Sequence, residues 1–494
     1  MPEDHTRRDD ASETALTATV SRRDFLKMAG VAGAAVGLAG GMGAVMAACG
    51  GTEAANDAGE STTVTAVTTT TTAKTTTTSL APSTNVTTQA ARDIKVGLIS
   101  PLTGALAGFA LPAKFLEDKW NEALANGVLC GDGKIHNLVI KHVDTQSDPQ
   151  RAGNVAGDLI SNDQVDVILV SSSPDTVVPV AAVCETAGTP MIASFVPWQP
   201  FFFGRQKTPD PGAPFKWTYA HALGLEQIVA SFIDMWNVIP TNKTAGFFFA
   251  NDADGVAWVD KNTGLPPAMT AAGYKIVDPG LYTVPTEDFT PLISAYKKDA
   301  CEIVTGTVIA PDFTNFWKQA YQQDYRPKIV TVGKALLFPE TVRAIGSIAA
   351  GVTVEYTWGP HWPFKSSLTG ETCQELADDY ESRTGNQWTA PIGTYDRMEW
   401  LVDALKRTED VDDKDKLIAA IASTKLDTML GPIDFTAPIK MGTLRPVENV
   451  YMPPIGGGQW VKGTKFPFEI VQVGNVWSEM CEVQAKVQPM QYGS

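Results

Sequence analysis

From residue 93 onward the chain alternates short apolar runs with stretches of helical spacing. Residues 165–170 are apolar except for Asp166, the mark of a parallel strand buried on both faces. Ser171, Ser172 and Ser173 follow, and then Pro174, which suits the first position of a helix with a serine before it as N-cap. The spacing predicts a helix over 175–186, stopped by Gly188, and a second strand over 189–193. Ser194, Phe195, Val196, Pro197 and Trp198 form the loop beyond it. A helix start carries free N–H groups and about half a positive charge, so it accepts an anion or another acceptor. Ser172 and Ser173 therefore either grip a ligand's carboxylate there or only cap the helix.

The same alternation runs on both sides of this unit. Strands are predicted over 94–99 and 136–143, with helices over 111–125 and, behind Asp148 as N-cap, to residue 161. After an aromatic, Pro- and Gly-rich break at 201–216 the pattern restarts. It gives a helix over 218–236, strands over 243–249, 274–277, 301–306 and 327–332, and a helix over 311–323. Further helices are predicted over 371–384, 392–408 and 414–423. From 431 the chain reads as short strands and loops, with Gly456, Gly457 and Gly458 as a turn rather than a phosphate cradle. Strand–helix alternation means parallel sheets with right-handed crossovers, hence an α/β fold of two lobes.

The first 48 residues stand apart. Arg22 and Arg23, within Ser21-Arg22-Arg23-Asp24-Phe25-Leu26-Lys27, are the pair of a twin-arginine export signal. A run rich in Ala and Gly follows and ends in Met46-Ala47-Ala48-Cys49, like a bacterial lipobox, which makes Cys49 the lipidation site. The alternative for that run is an uncleaved membrane anchor. Residues 50–92 are rich in Thr and Ala, with threonine runs at 68–72 and 75–78. Such a segment buries too little to fold, and as a coil would span roughly 35 Å.

Charge narrows the function. The 494 residues carry a net charge of −16, which removes nucleic acid from the partners, since a binder of phosphates needs a basic face. Export permits disulfides, but beyond Cys49 the five cysteines are odd in number and none sits at CxxC spacing. No structural zinc site is expected, and no cofactor. His136 and His142, six apart on one predicted strand, share a face, which leaves open a metal pair or two exposed histidines. No HExxH, GxSxG or Walker loop occurs, and no base lies near the serine cluster, so an enzyme is not expected.

Four stretches carry a resemblance. Ile94-Lys95-Val96-Gly97-Leu98-Ile99-Ser100-Pro101-Leu102-Thr103-Gly104 is similar to the first strand and loop of the branched-chain amino acid type of solute-binding protein of ABC importers. Ser171-Ser172-Ser173 with Pro190-Met191-Ile192, Phe249-Ala250-Asn251-Asp252, and Gly431-Pro432-Ile433-Asp434-Phe435 resemble later parts of that family in the same order. The resemblance implies a type I periplasmic binding protein: two Rossmann-like lobes with parallel sheets, joined by a three-segment hinge. It places lobe 1 at 93–218 and 353–446, lobe 2 at 219–352 and 447–482, a tether at 49–92 after the signal at 1–48, and a tail at 483–494. Ligand contacts carried over are Phe109, Ser172, Ser173, Ser194, Phe195, Trp198, His221 and Asp254. The implied partners are a small-molecule ligand, an amino acid or related carboxylate or amide, and the permease subunits of an ABC importer. The membrane would be reached through the N-terminal lipid, on the outer face of the cell. A sensor of the same fold, a binder of an aromatic acid and an exported hydrolase are the alternatives. One departure matters: where amino acid binders carry a carboxylate, residues 332–336 carry Lys334, which would repel a ligand's ammonium unless Asp254 or Asp312 supplies the missing charge.

Overall fold

The computed structural model describes residues 91–492 apart from 209, 211, 262, 263 and 437–446. The signal, Cys49 and nearly all of the tether lie outside the described residues. The tether's last residue does not hang free: Arg92 grips Asp166 through both terminal nitrogens, at 2.9 and 3.0 Å, and pairs with Asp412.

Two sheets organise the body. The first is wholly parallel, in the order Val450–Tyr451, Thr218–Leu223, Met191–Pro197, Val167–Ser171, Ile94–Ser100, Leu138–Asp144. The second runs Phe468–Trp477, Ile455–Lys462, Thr353–Tyr356, Ile329–Lys334, Ile303–Val308, Thr244–Phe249, Lys275–Val277. Its last five strands are parallel, and the first two add an antiparallel hairpin. Central strands are buried along their whole length, as sheets covered on both faces require. Helices Cys373–Thr384 and Asp396–Arg407 cover one face of the first sheet, with Trp120, Trp358, Trp400 and Tyr395 fully buried. Truncating one such indole costs about 3–5 kcal/mol.

The crossings between lobes lie later than the sequence suggests. Residues 218–236 are not one helix: Thr218–Leu223 is a strand of the first sheet, and the helix Leu225–Val238 begins only after Gly224. Thr218, Tyr219 and the alternating apolar positions favour a strand. Thr353–Tyr356 belongs to the second sheet, so the chain returns to the first lobe only past Tyr356. Val450–Tyr451 pairs with Thr218–Leu223, so the third crossing falls at Met452, Pro453 and Pro454. Gln227 braces the first and third crossings, accepting from Gly224 N–H at 2.9 Å and donating to Pro453 C=O at 3.0 Å.

One further expectation changes. Gly456, Gly457 and Gly458 lie within the strand Ile455–Lys462, not in a turn. They are glycines because a Cβ on Gly457 would stand 2.6 Å from Met235 Sδ, and one on Gly456 2.4 Å from Gly474 O. The tail is docked: Gln488 bonds Gln459, and Tyr492 Oη donates to Pro327 C=O at 2.6 Å.

Candidate functional site

The strands of both sheets end at a shared cleft, the place where open α/β sheets hold ligands. Counting the open solvent at its mouth, the space between the walls is about 400 Å³. Phe109, Ser173, Pro174, Phe195 and Pro197 line it from the first lobe. Asp254, Trp258, Thr307, Lys334, Leu337 and Glu355 line it from the second.

On the first lobe the helix Pro174–Ala187 starts at the cleft and stops at Gly188, whose φ of 65° and left-handed conformation fit the expected terminator. Ser173 holds the N-cap position, but its hydroxyl does not cap. It donates to Asp175 Oδ2 at 3.2 Å and faces the cleft. The Phe195 strand end is held at φ 65°, a conformation that costs a non-glycine residue of order 1–3 kcal/mol and is kept where surrounding structure enforces it. Phe109 meets Phe195 at 5.9 Å and, across the gap, Phe338 of the second lobe at 5.0 Å, both edge to face.

On the second lobe Lys334 ends its strand with φ 64° and ψ −69°, again a strained backbone at the cleft. Its ammonium is 6% exposed and touches Asp254 Oδ2 directly. Asp175 Oδ2 lies at 3.7 Å and Asp252 Oδ2 at 3.8 Å, so Asp175 reaches over from the first lobe. Burial alone would push the ammonium's pKa down, but Asp254, Asp175 and Asp252 together hold it above its ordinary range. Burial raises the Asp254 carboxyl to about 6, against the pull of Lys334. Glu355 is raised by burial to about 7, and its Oε2 has no hydrogen-bond partner. Gly333 makes room for it: a Cβ there would meet Glu355 Oε2 at 3.2 Å and Thr307 Oγ1 at 3.3 Å.

The structure thus brings four of the sequence-derived contacts, Phe109, Ser173, Phe195 and Asp254, to one cleft. The other four lie elsewhere. Ser172 is wholly buried, with an unpartnered hydroxyl that does not line the cleft. Ser194 and His221 are register neighbours on adjacent strands and face the lobe interior, where His221 Nδ1 meets Asp396 Oδ2 at 2.9 Å. A histidine therefore does lie beside a serine, but Ser194 Oγ bonds to nothing and the group has no access to solvent. Trp198 opens the short helix Trp198–Phe203, and its indole donates to Glu226 Oε1 at 3.1 Å inside the core. Asp312 does not reach Lys334; it accepts from Tyr282 Oη at 2.7 Å. Trp258, Thr307, Leu337 and Glu355 were not among the expected contacts.

His136 and His142 do not form a pair. His136 sits on the two-residue strand Ile135–His136 and bonds Asp132, while His142 bonds Glu117 from Leu138–Asp144. Among the described residues no group of three or more His, Cys, Asp or Glu side chains could hold a metal ion. Cys130, Cys184, Cys301, Cys373 and Cys481 are free and buried.

Comparison with known proteins agrees with this geometry. A twin-arginine translocation pathway signal sequence matches residues 19–39, which places the protein outside the cytoplasm together with its family. The chain is 23% identical over 396 residues to "Leu/Ile/Val-binding protein homolog 8" of Brucella abortus (strain 2308), covering 78% of this chain and 92% of that protein. A solute-binding protein of an ABC transporter from Rhodopseudomonas palustris BisB5, solved with 3,4-dihydroxybenzoic acid, shares the fold at a TM-score of 0.59 and 21% identity, covering 78% of this chain and 98% of that one. LivJ of Streptococcus pneumoniae, solved with isoleucine, does so at 0.59 and 14%, covering 77% and 99%. These are binding proteins rather than enzymes. With the family model "Periplasmic binding protein" matching residues 93–455, the chain belongs to the periplasmic binding proteins, and it shares the type I fold of solute-binding proteins of ABC transporters.

Proposed function

We propose that this receptor captures a zwitterionic, largely apolar amino acid, or a related molecule that pairs an acceptor group with a cationic one, and hands it to the permease subunits of an importer. The charge balance of the cleft carries this reading. One buried cation, Lys334, faces Asp175, Asp252 and Asp254, with Glu355 beside them. Lys334 is already neutralised, so it does not repel an ammonium; the surplus carboxylates call for one. Ser173 and the helix start behind it suit the ligand's carboxylate, and Phe109, Phe195 and Trp258 its apolar part. Only contact with both lobes can favour closure, and the Asp175–Lys334 approach shows where the lobes already meet. An aromatic acid is the second reading, favoured by the aromatic lining and by the dihydroxybenzoic acid bound to the Rhodopseudomonas protein.

A thermal-shift screen over amino acids, aromatic acids and amides separates the two. At a hundred times its dissociation constant a ligand stabilises by about 2.7 kcal/mol, and we expect that shift from apolar amino acids. The variant Ser173→Ala should weaken the hit about 3- to 10-fold, the size of one buried hydrogen bond. Shifts from monoanionic acids alone would defeat the zwitterion reading.

Anchoring by a lipid on Cys49 is proposed on the Met46-Ala47-Ala48-Cys49 sequence. Two signals are needed for firm attachment by single acyl chains, and a diacylated cysteine supplies them. Cys49→Ser should move the protein from the membrane fraction to the medium or periplasm. Equal membrane retention in that variant would rule the anchor out.

A further inference from the structure

The cleft has a charged end and an apolar corner, and the corner is built across the first crossing. Leu223 is the last residue of its strand, Ile228 lies in the first turn of the helix Leu225–Val238, and Gly224 is the joint between the two elements. Leu223 belongs to the first lobe and Ile228 to the second, and both line the cleft. Pro197, the register partner of Leu223, adds to the first-lobe side, and Trp258 to the second-lobe side. Leu223, Ile228 and Trp258 pack in one buried apolar cluster.

These walls are fixed. The Trp258 ring stacks on Phe232 at 5.8 Å and on Phe249 at 6.1 Å, and the residue is 3% exposed. Its helix, Ala253–Trp258, rides on a strand end: Asp252 accepts from Gly255 N–H at 2.7 Å, and a Cβ on Gly255 would come within 1.9 Å of Ala250 O. At the joint, a Cβ on Gly224 would stand 2.8 Å from Met452 Sδ, so the first and third crossings touch. Asp254 and Trp258 lie one turn apart on one face of their helix, with about 6 Å between their Cβ atoms. A ligand ammonium held at Asp254 is therefore one helical turn from the corner.

We propose that the corner reads the length of the ligand's side chain through the fit of the hinge itself, and that the class admitted is amino acids with side chains of about one to three carbons. The proposal rests on the reading that the ligand's ammonium sits among the carboxylates of the cleft. A short apolar side chain is buried only when Leu223 and Pro197 close on Ile228 and Trp258, so each carbon favours closure by about fourfold. A longer one holds the two sides apart, because packed walls accept extra methylenes badly. The limit is set low by space: within its walls the cleft has room for on the order of three waters.

Calorimetric titration of the whole mature chain with glycine, alanine, valine, leucine and phenylalanine tests it. Affinity should climb about fourfold per carbon to a maximum no later than valine, then fall about tenfold or more by phenylalanine. Ile228→Ala enlarges the corner from the second lobe and should raise the leucine-to-alanine affinity ratio about tenfold. Ile228→Val removes one methylene at little risk to the fold and should raise that ratio about fourfold. A poorly folded variant lowers both affinities together, so the ratio reports the corner and the melting curve reports the fold. A maximum at leucine or phenylalanine, an affinity that ignores side-chain length, or a ratio unmoved in both variants overturns the corner alone. Binding by none of the five overturns the ammonium reading with it.

Discussion

Replacing Lys334 by methionine will destabilise the protein by about 3–5 kcal/mol at pH 7.5, the loss typical of removing one partner from a buried ion pair. Methionine keeps the aliphatic stem and bears the same cost at φ 64°, so the change isolates the charge. Asp254, 4% exposed, is left beside Asp252 and Asp175 with no cation. Its carboxyl, already raised by burial to about 6, will rise further. The sign of the pH effect follows. A carboxyl whose folded pKa lies above its unfolded value gives stability that is complete below the unfolded value, near 3.9, and is lost as pH rises through the folded one. Without Lys334 that loss deepens and continues to higher pH, so the deficit relative to the unmodified protein widens from pH 5 to pH 8. Urea unfolding followed by tryptophan fluorescence at both pH values measures it. Adding Asp254→Asn should restore most of the loss. A deficit below about 1 kcal/mol, or no recovery in the double variant, would show that the pair does not carry the strand end.

The cleft was legible where its residues come from the ends of strands that the local pattern predicts. Phe109, Ser173, Phe195 and Asp254 follow strand-end turns, and each lines the cleft. The errors have a common source in strand length. The strand predicted to stop at 193 runs on as Met191–Pro197, which turns Ser194 into the lobe's interior and moves Trp198 into a buried helix. His221 was read on a helix and lies on a strand, so its face could not be assigned. Glu355 left no local signal, because its strand, Thr353–Tyr356, was not predicted at all. Only the pairing of Thr331 with Thr353 puts that strand beside Gly333 and Lys334. Of the two residues that the sequence offers to offset the charge of Lys334, the structure brings Asp254 to it and leaves Asp312 with Tyr282. The carboxylates that neutralise it come from residues 80 and more away in sequence, and pairing across that distance is a property of the sheet register rather than of any window of sequence.

Glu355→Gln should move stability and binding in opposite directions, which makes it the sharper test of the site. Burial holds the Glu355 carboxyl at about 7, well above its unfolded value near 4.3. Its contribution to stability is therefore complete below about pH 4 and lost as pH rises through 7. Glutamine cannot ionise and should escape that loss, leaving the variant on the order of 3–4 kcal/mol more stable than the unmodified protein at pH 8, about 1 kcal/mol more stable at pH 5 and no different below about pH 4. The reason for retaining a group that weakens the folded state at working pH is then its charge, and the charge matters only to a ligand. For an ammonium-bearing ligand the binding-competent form is the carboxylate. Affinity should fall about tenfold for each pH unit below 7 in the unmodified protein, more steeply once Asp254 also takes its proton near 6. In Glu355→Gln the fall between pH 8 and pH 6.5 should vanish, with affinity at pH 8 already reduced about tenfold or more. Titration of the best amino acid from the screen at four pH values, with both proteins, reads these quantities directly. An affinity that rises on acidification would instead mean that the protonated carboxyl donates to the ligand, as an aromatic acid would require, and the zwitterion reading would give way to it.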